Sequence, residues 1–447
     1  MKKLSINLFF AGVLLIASCQ EVLEPQPNDR ITNDLVLTDA GSVRTVITSL
    51  YRGLANLQAV QIIAADMTAD HLTHNGTFTQ YIEVGTKDMS ASNGSANAMW
   101  GTIYSMLYTV NFLLEGVPEM DNLVDSQKEL FLAYARFFRG YGYFVGVNTF
   151  GDMPLVLSTD ITANRDIPRS PKAEVIAQIE ADLLFALDKV PEESFNSGDL
   201  TNGAVKAALA RFYLYQENWD KADEFATDVI DGVGTTDYEL EANFGDVLTD
   251  FSRESILEIV YSANDNPGTS TNYGLNNLFS TRREIIPTND IVTTFQSSGG
   301  DREAVLTFDP NLIKGSDNGW TVSRYGPFDN VPVFRLAEMY LIRAEARAQK
   351  NNLNSARSDL NIIRQRSGVD PTDTNTKNLL LLEIERERQV ELGFEGHRWY
   401  DLKRTGRVNE VMRAFTPNWS DKNLLWPVPL REIQNNPGLA GSQNPGY

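Results

Sequence analysis

Two stretches of the chain show the spacing of small and large apolar residues that is typical of tetratricopeptide-type helical hairpins. The first, residues 201–230, has this spacing at Leu209, Ala210, Tyr213, Ala222, Ala226 and Val229. The second, residues 334–366, has it at Ala344, Ala356, Leu360 and Ile363. Small residues let two helices cross closely, and hairpins of this kind stack on one another. The chain is therefore predicted to be mainly α, a superhelix of tetratricopeptide-like helical hairpins with long inserted loops and a few short strands.

Three stretches interrupt the helical pattern and are predicted to be loops, because they are rich in Gly, Asn, Ser, Thr and Asp. They are residues 70–97, 262–280 and 297–330. The best strand candidate, residues 254–261 (ESILEIVY), lies just before the second of them. Loops of this length inside a compact chain are usually functional or disordered.

Aromatic side chains on these polar loops are the candidate ligand-binding residues. An aromatic ring with polar neighbours suits stacking on the face of a sugar or packing against a peptide side chain. The alternative for each residue is that it packs beneath its own loop. The candidates are Phe78, Tyr81, Tyr273, Trp320 and Tyr325.

His71 and His74 lie in the first loop and are secondary candidates for ligand binding. With Asp66 and Asp70 nearby, these histidines could instead be metal ligands. The spacing does not match HExxH, however, and no third histidine is close in sequence. We therefore expect the end of a helix that runs into a polar loop, without a bound metal or other cofactor.

The N-terminus has the pattern of an export signal. Two lysines precede an apolar run, residues 8–17, that is too short to span a bilayer. The run ends in small residues just before Cys19, the single cysteine of the chain. This arrangement resembles the lipobox of bacterial lipoproteins and predicts a signal peptide over 1–18 and lipidation of Cys19. An ordinary secretory signal with an incidental cysteine is the alternative.

The composition excludes some partners and leaves little catalytic chemistry. A net charge of −20 argues against nucleic acid and against electrostatic adhesion to anionic lipid. No P-loop, GxGxxG, GxSxG or cysteine-based metal cluster occurs, and the chain has three histidines. The protein is therefore predicted not to be an enzyme. A hydrolase that uses two carboxylates stays open as an alternative.

Residues 381–404 interleave acidic and basic side chains with apolar ones. Glu391 and Glu395 would share one face of a helix, which raises the possibility of a catalytic pair. Acid–base pairs usually converge from different elements around a cleft, so a structural role is favoured. We predict a partly buried ion-pair network that ties the C-terminal segment to the hairpins, made of Glu387, Arg388, Glu391, Glu395, Arg398 and Asp401.

Four motifs in order resemble the SusD/RagB-type lipoproteins, which bind nutrients at the cell surface. They are NTFGDMPL from residue 148, the hairpin sequence from residue 333 to 368, ERQVELGFEGHRWYDLKRTG from residue 387, and LLWPVPLREIQNNPGLAGSQNPGY at the end. The resemblance implies a helical superhelix with ligand loops on one side and no catalytic residues. It also implies an outer-membrane, lipid-anchored, surface-exposed location and a SusC-like TonB-dependent transporter as partner, for which the protein acts as a lid.

The function expected from this resemblance is capture of a nutrient oligosaccharide and its delivery to the transporter. Peptide capture by the same scaffold, or a protein-interaction scaffold without a small ligand, are the alternatives. The expected organisation is a tether over 19–37, a helical region over 38–230, a loop-rich variable region over 231–330 and a C-terminal region over 331–447. Residues 19–447 are expected to form one compact unit.

Overall fold

The computed structural model describes residues 36–234, 237–261 and 274–447, and α-helices dominate this part of the chain. In chain order the helices are α1 (Ala40–Ile62), α2 (Thr79–Gly85), α3 (Gly94–Gly116), α4 (Asp125–Phe150), α5 (Ile161–Asn164), α6 (Lys172–Leu187), α7 (Asn202–Tyr215), α8 (Trp219–Ile230), α9 (Asn289–Ser298), α10 (Leu336–Gln349), α11 (Leu353–Arg366), α12 (Lys377–Glu391), α13 (Arg398–Arg404), α14 (Val408–Phe415) and α15 (Leu430–Asn435). Among the described residues, none of these helices is both long and apolar enough to cross a membrane.

Local sequence signals explain where the first long helix begins. Asp39 accepts a hydrogen bond from the backbone N–H of Ser42 at 2.8 Å, and the Ser42 hydroxyl accepts one from the backbone N–H of Asp39 at 3.0 Å. This reciprocal capping box satisfies two N–H groups that the helix itself cannot. Apolar residues at helical spacing then bury one face of α1, including Val43, Ile47 and Leu50.

The long helices stack in sequence order. α1 packs on α3, α3 on α4, α4 on α6, α6 on α7 and α7 on α8. α8 then packs on α10, which also contacts α11 and α12. The predicted superhelix of helical hairpins is thus confirmed. The buried alanines of the first hairpin, Ala222 and Ala226, lie where α8 meets its neighbours.

The two predicted hairpins turn in the same way. In the α7–α8 turn, Glu217 has φ 54° and the N–H of Asn218 donates to the carbonyl of Tyr213 at 3.0 Å. In the α10–α11 turn, Asn351 has φ 64° and the N–H of Asn352 donates to the carbonyl of Arg347 at 2.8 Å. Both turns end the first helix with a residue in the left-handed region.

Short strands pair across long distances in sequence. They are β1 (Leu72–His74), β2 (Ser255–Ile259), β3 (Ile285–Pro287), β4 (Leu306–Phe308), β5 (Trp320–Val322) and β6 (Val331–Arg335). Within the described residues they form three antiparallel two-stranded sheets, β1–β3, β2–β6 and β4–β5. The predicted strand at 254–261 is confirmed as β2. The loop predictions are wrong in part, because 70–97 contains β1 and α2, and 297–330 contains β4 and β5.

A buried carboxylate at the end of α12 joins four elements. Glu391 pairs with Arg302 at 3.1 Å and with Arg335 at 2.5 Å, and it also pairs with Arg366. Arg335 in turn holds Glu395 at 2.9 Å. Arg302 lies just before β4, Arg335 ends β6 and Arg366 ends α11. The positive charges around Glu391 therefore come from outside residues 381–404.

A second set of buried ion pairs holds α13. Arg388 donates twice to Asp401, at 2.9 and 3.1 Å, and Arg404 pairs with the same carboxylate at 2.8 Å. Arg398 donates twice to Asp70, at 2.8 and 2.9 Å. The predicted ion-pair network is confirmed, but it is fully buried. Its six predicted members are each at most 6% exposed, namely Glu387, Arg388, Glu391, Glu395, Arg398 and Asp401.

Candidate functional site

Three loops meet at one corner of the molecule because two small sheets lie side by side. β1 pairs with β3 so that Thr73 lies opposite Ile286, and β3 also contacts β5. The loop after β1, the residues before β3 and the β4–β5 turn are therefore neighbours. We call this region the loop corner, and it comprises residues 74–78, 282–284 and 308–321.

A hydrogen-bonded framework of three polar side chains links these loops. Asn75 Nδ2 donates to the carbonyl of Arg283 and to Asp317 Oδ2, both at 3.0 Å. Arg283 binds the same carboxylate, with Nη2 at 2.7 Å from Oδ1, and also donates to the carbonyl of Trp320 at 3.1 Å. Burial raises the pKa of Asp317, but the hydrogen bonds and charge of Arg283, together with hydrogen bonds from Gly319 and Asn75, hold it below its usual value.

Glu284 fixes the loop that follows β1. Its Oε2 accepts the backbone N–H of Thr77 at 3.1 Å, and its Oε1 accepts from Arg282 Nη2 at 3.1 Å. The loop comes so close that a Cβ on Gly76 would lie 1.5 Å from Glu284 Oε2. Only glycine allows this approach, so the backbone here is held against a buried carboxylate.

An aromatic pair lies at the surface of the loop corner. Phe308 and Trp320 are directly opposite each other on β4 and β5, with ring centroids 4.9 Å apart. Phe308 is 46% exposed and Trp320 is half-buried. Gly319 has φ 81°, and a Cβ there would lie 2.9 Å from the Phe308 ring. The turn thus presents two rings at the surface beside the polar framework.

Phe78 lies across the corner from this pair. It is half-buried at the start of α2, and the guanidinium carbon of Arg282 is 4.5 Å from its ring centroid. Arg282 also pairs with Glu284, so it is held between a ring and a carboxylate. Phe78 and Trp320 are the two predicted aromatics that the structure brings to the loop corner.

Tyr81 and Tyr325, by contrast, are core residues. They are 1% and 3% exposed, and the hydroxyl of Tyr325 donates to the carbonyl of Phe394 at 2.8 Å. Burial raises the pKa of Tyr325 well above its usual value. The prediction that these two rings face a ligand is therefore wrong, because Tyr81 is buried on α2 and Tyr325 is buried against Phe279 and Phe394. Tyr273 and the predicted lipidation site Cys19 lie outside the described residues.

The two histidines have different surroundings. His71 is 1% exposed, and its Nδ1 lies 3.3 Å from Asp66 Oδ1. His74 ends β1 at the edge of the loop corner, and burial together with the charge of Lys87 lowers its pKa. Asp70 is held by Arg398 and is not directed at either ring. Among the described residues, no group of three or more His, Cys, Asp or Glu side chains is arranged to hold a metal ion.

Sequence reasoning missed Phe308, Arg282 and the polar framework. The pattern Leu-Thr-Phe at 306–308 and Trp-Thr-Val at 320–322, on either side of a turn-rich segment, was the available signal. Alternation on both sides of such a segment is typical of a β-hairpin. The partners of Arg283 could not be found this way, because Asn75 lies more than 200 residues earlier in the chain.

Glu391 and Glu395 do not form a catalytic pair. α12 ends at Glu391, so Glu395 lies in the following turn and the two do not share a helix face. Both carboxylates are buried against Arg335. Burial alone would raise the pKa of Glu391, but the guanidinium groups around it hold that pKa well below its usual value. A carboxylate engaged in three buried ion pairs fits a structural role.

Matches to SusD-type proteins cover nearly the whole chain. The profile of the SusD family matches residues 310–447, and a profile described as "Starch-binding associating with outer membrane" matches residues 26–214. Two SusD-like proteins of Formosa agariphila, P25 and P2, are 24% and 26% identical to the chain and align over the full length of both.

A similar fold is known from solved structures. A laminarin-binding SusD-like protein superposes with a TM-score of 0.79 at 23% identity, and the match covers 91% of this chain and 99% of that one. The helical stack and the small sheets described above are therefore a known architecture. The chain is a SusD/RagB-type protein, a member of a family of carbohydrate-binding proteins that associate with the outer membrane.

Proposed function

We propose that this protein captures an oligosaccharide at the loop corner. The observation that carries the proposal is the Phe308–Trp320 pair, two surface rings beside a rigid set of polar side chains. A sugar ring has an apolar C–H face that packs on an aromatic ring and hydroxyl groups that need hydrogen-bond partners. The loop corner supplies both within one surface.

The charges of the loop corner favour a neutral glycan. The loop corner has three basic and three acidic side chains, so its net charge is zero. Arg282 pairs with Glu284 and Arg283 pairs with Asp317, which leaves Asp309 and Lys314. The chain as a whole carries −20, which would repel a polyanionic polysaccharide at long range. Laminarin, named for the similar solved protein, is one candidate for a screen of neutral glycans.

Affinity electrophoresis in gels that contain a panel of neutral polysaccharides tests the site. We expect Trp320→Ala to lose at least about five-fold in affinity for the retained glycan, since a stacked aromatic contributes about 1–2 kcal/mol. Phe308→Ala should weaken retention less. Phe195→Ala is the matched control, because Phe195 is 98% exposed on a different loop.

Two results would contradict the assignment. Unchanged retention in the Trp320→Ala/Phe308→Ala double variant would place the glycan elsewhere on the protein. Capture of peptides instead of glycans in a pull-down with the same purified protein would favour the peptide alternative. Release of reducing sugar from a retained polysaccharide would show a hydrolase, which the family of binding proteins does not lead us to expect.

The delivery role rests on the family and on the N-terminal sequence. We infer that the protein is anchored through acyl chains on Cys19 and acts as the lid of a TonB-dependent transporter. Acyl-chain labelling that is lost in Cys19→Ala, and recovery of a transporter with the wild-type protein from detergent-solubilised membranes, are the expected results. Labelling that persists in Cys19→Ala would contradict the anchor, and purification without a transporter would contradict the partnership.

A further inference from the structure

A cavity of about 630 Å³ lies away from the loop corner, among helices of the superhelix and the C-terminal residues. It is bounded by the end of α4, the start of α6, α13 and residues 443–445. A volume of this size suits a small organic molecule. None of its lining residues belongs to the loop corner, so it is a separate candidate site.

Two lysines face this cavity without a carboxylate ion-pair partner among the described residues. Lys172 is exposed at the rim, and Lys403 is half-buried, donating to the carbonyl of Asn148 at 2.6 Å. The Lys403 ammonium also lies 4.0 Å from the ring centroid of Trp399. This arrangement is unusual in α13, where Arg398 and Arg404 are both paired with carboxylates.

Burial lowers the pKa of Lys172, and the charge of Asp152 opposes that effect only in part. Asp152 Oδ1 accepts the backbone N–H of Lys172 at 2.8 Å and so caps α6. Arg169 donates to backbone carbonyls and to Asn444, and Arg404 is held by carboxylates outside the cavity. Glu217 lies at the rim, exposed and without an ion pair in the described structure. Four cationic side chains thus face two carboxylates, in a chain whose net charge is −20.

The walls of the cavity are apolar enough to hold an organic body. Tyr215 and Tyr400 present their rings there, together with Val147, Leu425 and Pro445. The hydroxyl of Tyr400 is already bonded to Thr149 at 2.7 Å. That of Tyr215 has no hydrogen-bond partner within the described residues and is available to a ligand.

We propose that this cavity binds a small organic molecule through a carboxylate or sulfate group placed between Lys172 and Lys403. Burial, and the charge of Lys172, lower the pKa of Lys403 well below its usual value. An oxyanion at this position would favour the protonated form of Lys403, offset its repulsion by Lys172 and replace the hydration that Lys403 has lost. The proposal is independent of glycan capture at the loop corner.

Isothermal titration calorimetry of the purified full-length protein tests the proposal. Sodium sulfate and sodium glucuronate are titrated separately against a sodium chloride blank at equal ionic strength. We expect saturable binding of glucuronate if the apolar walls contribute, and of sulfate alone if an inorganic anion is the ligand. Either result supports an oxyanion site. Which of the two anions binds shows whether the ligand is an inorganic anion or an organic molecule that carries a carboxylate.

Variants of Lys172, which is exposed at the rim, test whether this lysine contributes to anion binding without disturbing the core. Lys172→Glu should weaken binding at least ten-fold, whereas Lys172→Arg should retain it, because only the first reverses the charge. Lys189→Glu is the control, since Lys189 lies on the surface in an ion pair with Glu129. No saturable heat with either anion, or equal affinity in the Lys172→Glu variant and the wild type, would overturn the proposal.

Discussion

At the scale of single residues, the buried ion pairs have a measurable acid sensitivity. The two hydrogen bonds from Arg398, with its positive charge, outweigh the effect of burial and lower the pKa of Asp70 to about 2. An aspartate in an unfolded chain titrates near pH 3.9. The folded state therefore holds the ionised form of Asp70 in a range where the unfolded state is already protonated.

We predict that Asp70 contributes about 2 kcal/mol to the free energy of unfolding at neutral pH. Because the folded pKa is depressed, this contribution is present above about pH 4 and is lost as the pH falls towards 2. Urea unfolding of the wild type between pH 5 and pH 2 should show the loss. In Asp70→Asn the slope of stability against pH should be smaller by at most about 1 kcal/mol per pH unit, with the largest difference near pH 3. Equal slopes in the two proteins would contradict the assignment.

The sequence indicates whether a side chain lies near the surface where its immediate neighbours decide the environment, and the ligand contacts of Trp320 stay a prediction. Trp320 follows Asp, Asn and Gly, and these turn residues place it at the surface. Tyr325 has similarly polar neighbours, but its hydroxyl is bonded to the carbonyl of Phe394, 69 residues later. A contact between residues so far apart in the chain cannot be predicted from the residues next to Tyr325.

At the scale of elements, the two hairpin turns differ in one residue that matters. Both place a residue in the left-handed region, but the first uses Glu217 and the second uses Asn351. Asparagine tolerates this conformation, whereas glutamate is strained in it. The first hairpin therefore stores a small amount of unfavourable backbone energy.

We predict that Glu217→Gly raises the free energy of unfolding by about 0.5–1 kcal/mol, since glycine adopts this φ without strain. Chemical denaturation monitored by circular dichroism is the measurement. Asn351→Gly is the matched control at the equivalent turn and should change stability little. A loss of stability in Glu217→Gly would show that its side chain makes a contact that outweighs the strain.

The helices could be predicted from the sequence better than the small sheets. A helical hairpin buries its apolar face with a spacing that repeats within about thirty residues, as the buried Ala222 and Ala226 show. β1 is three residues long, and its partner Pro287 lies far along the chain from Leu72. A strand of three residues shows at most one alternation, so the sequence predicts loops over both 70–97 and 297–330.

At the scale of the whole molecule, the carboxylate of Glu391 connects parts of the chain that are distant in sequence. Its partners are Arg302, Arg335 and Arg366, and Glu254 bonds to the last two. None of these groups can be exposed without leaving another buried charge unpaired. The superhelix and the loop-rich region should therefore unfold together, and the predicted division at residues 231 and 331 stays a prediction.

We predict that Glu391→Ala lowers the free energy of unfolding by about 3–5 kcal/mol, the usual cost of removing one partner from a buried ion pair. Unfolding curves from tryptophan fluorescence and circular dichroism should coincide in both proteins. Asp421→Ala, in the exposed pair with Arg413, should cost at most about 1 kcal/mol. Two separate transitions in the wild type would contradict the coupling.

The direct packing of α8 on α10 has a consequence for how recognition can change. α8 ends at Ile230 and α10 begins at Leu336, and these two helices pack directly on each other. The segment between them is therefore inserted between two neighbouring helices of the stack. The described residues of this inserted segment include β3, β4 and β5, which carry most of the loop corner. Exchanging this inserted segment between relatives would change the binding surface without disrupting the helical stack, provided that the new segment keeps the buried charges of Glu254, Arg302 and Arg335. The sequence of the inserted segment, and with it the ligand specificity, can thus change faster between relatives than the sequence of the helical stack.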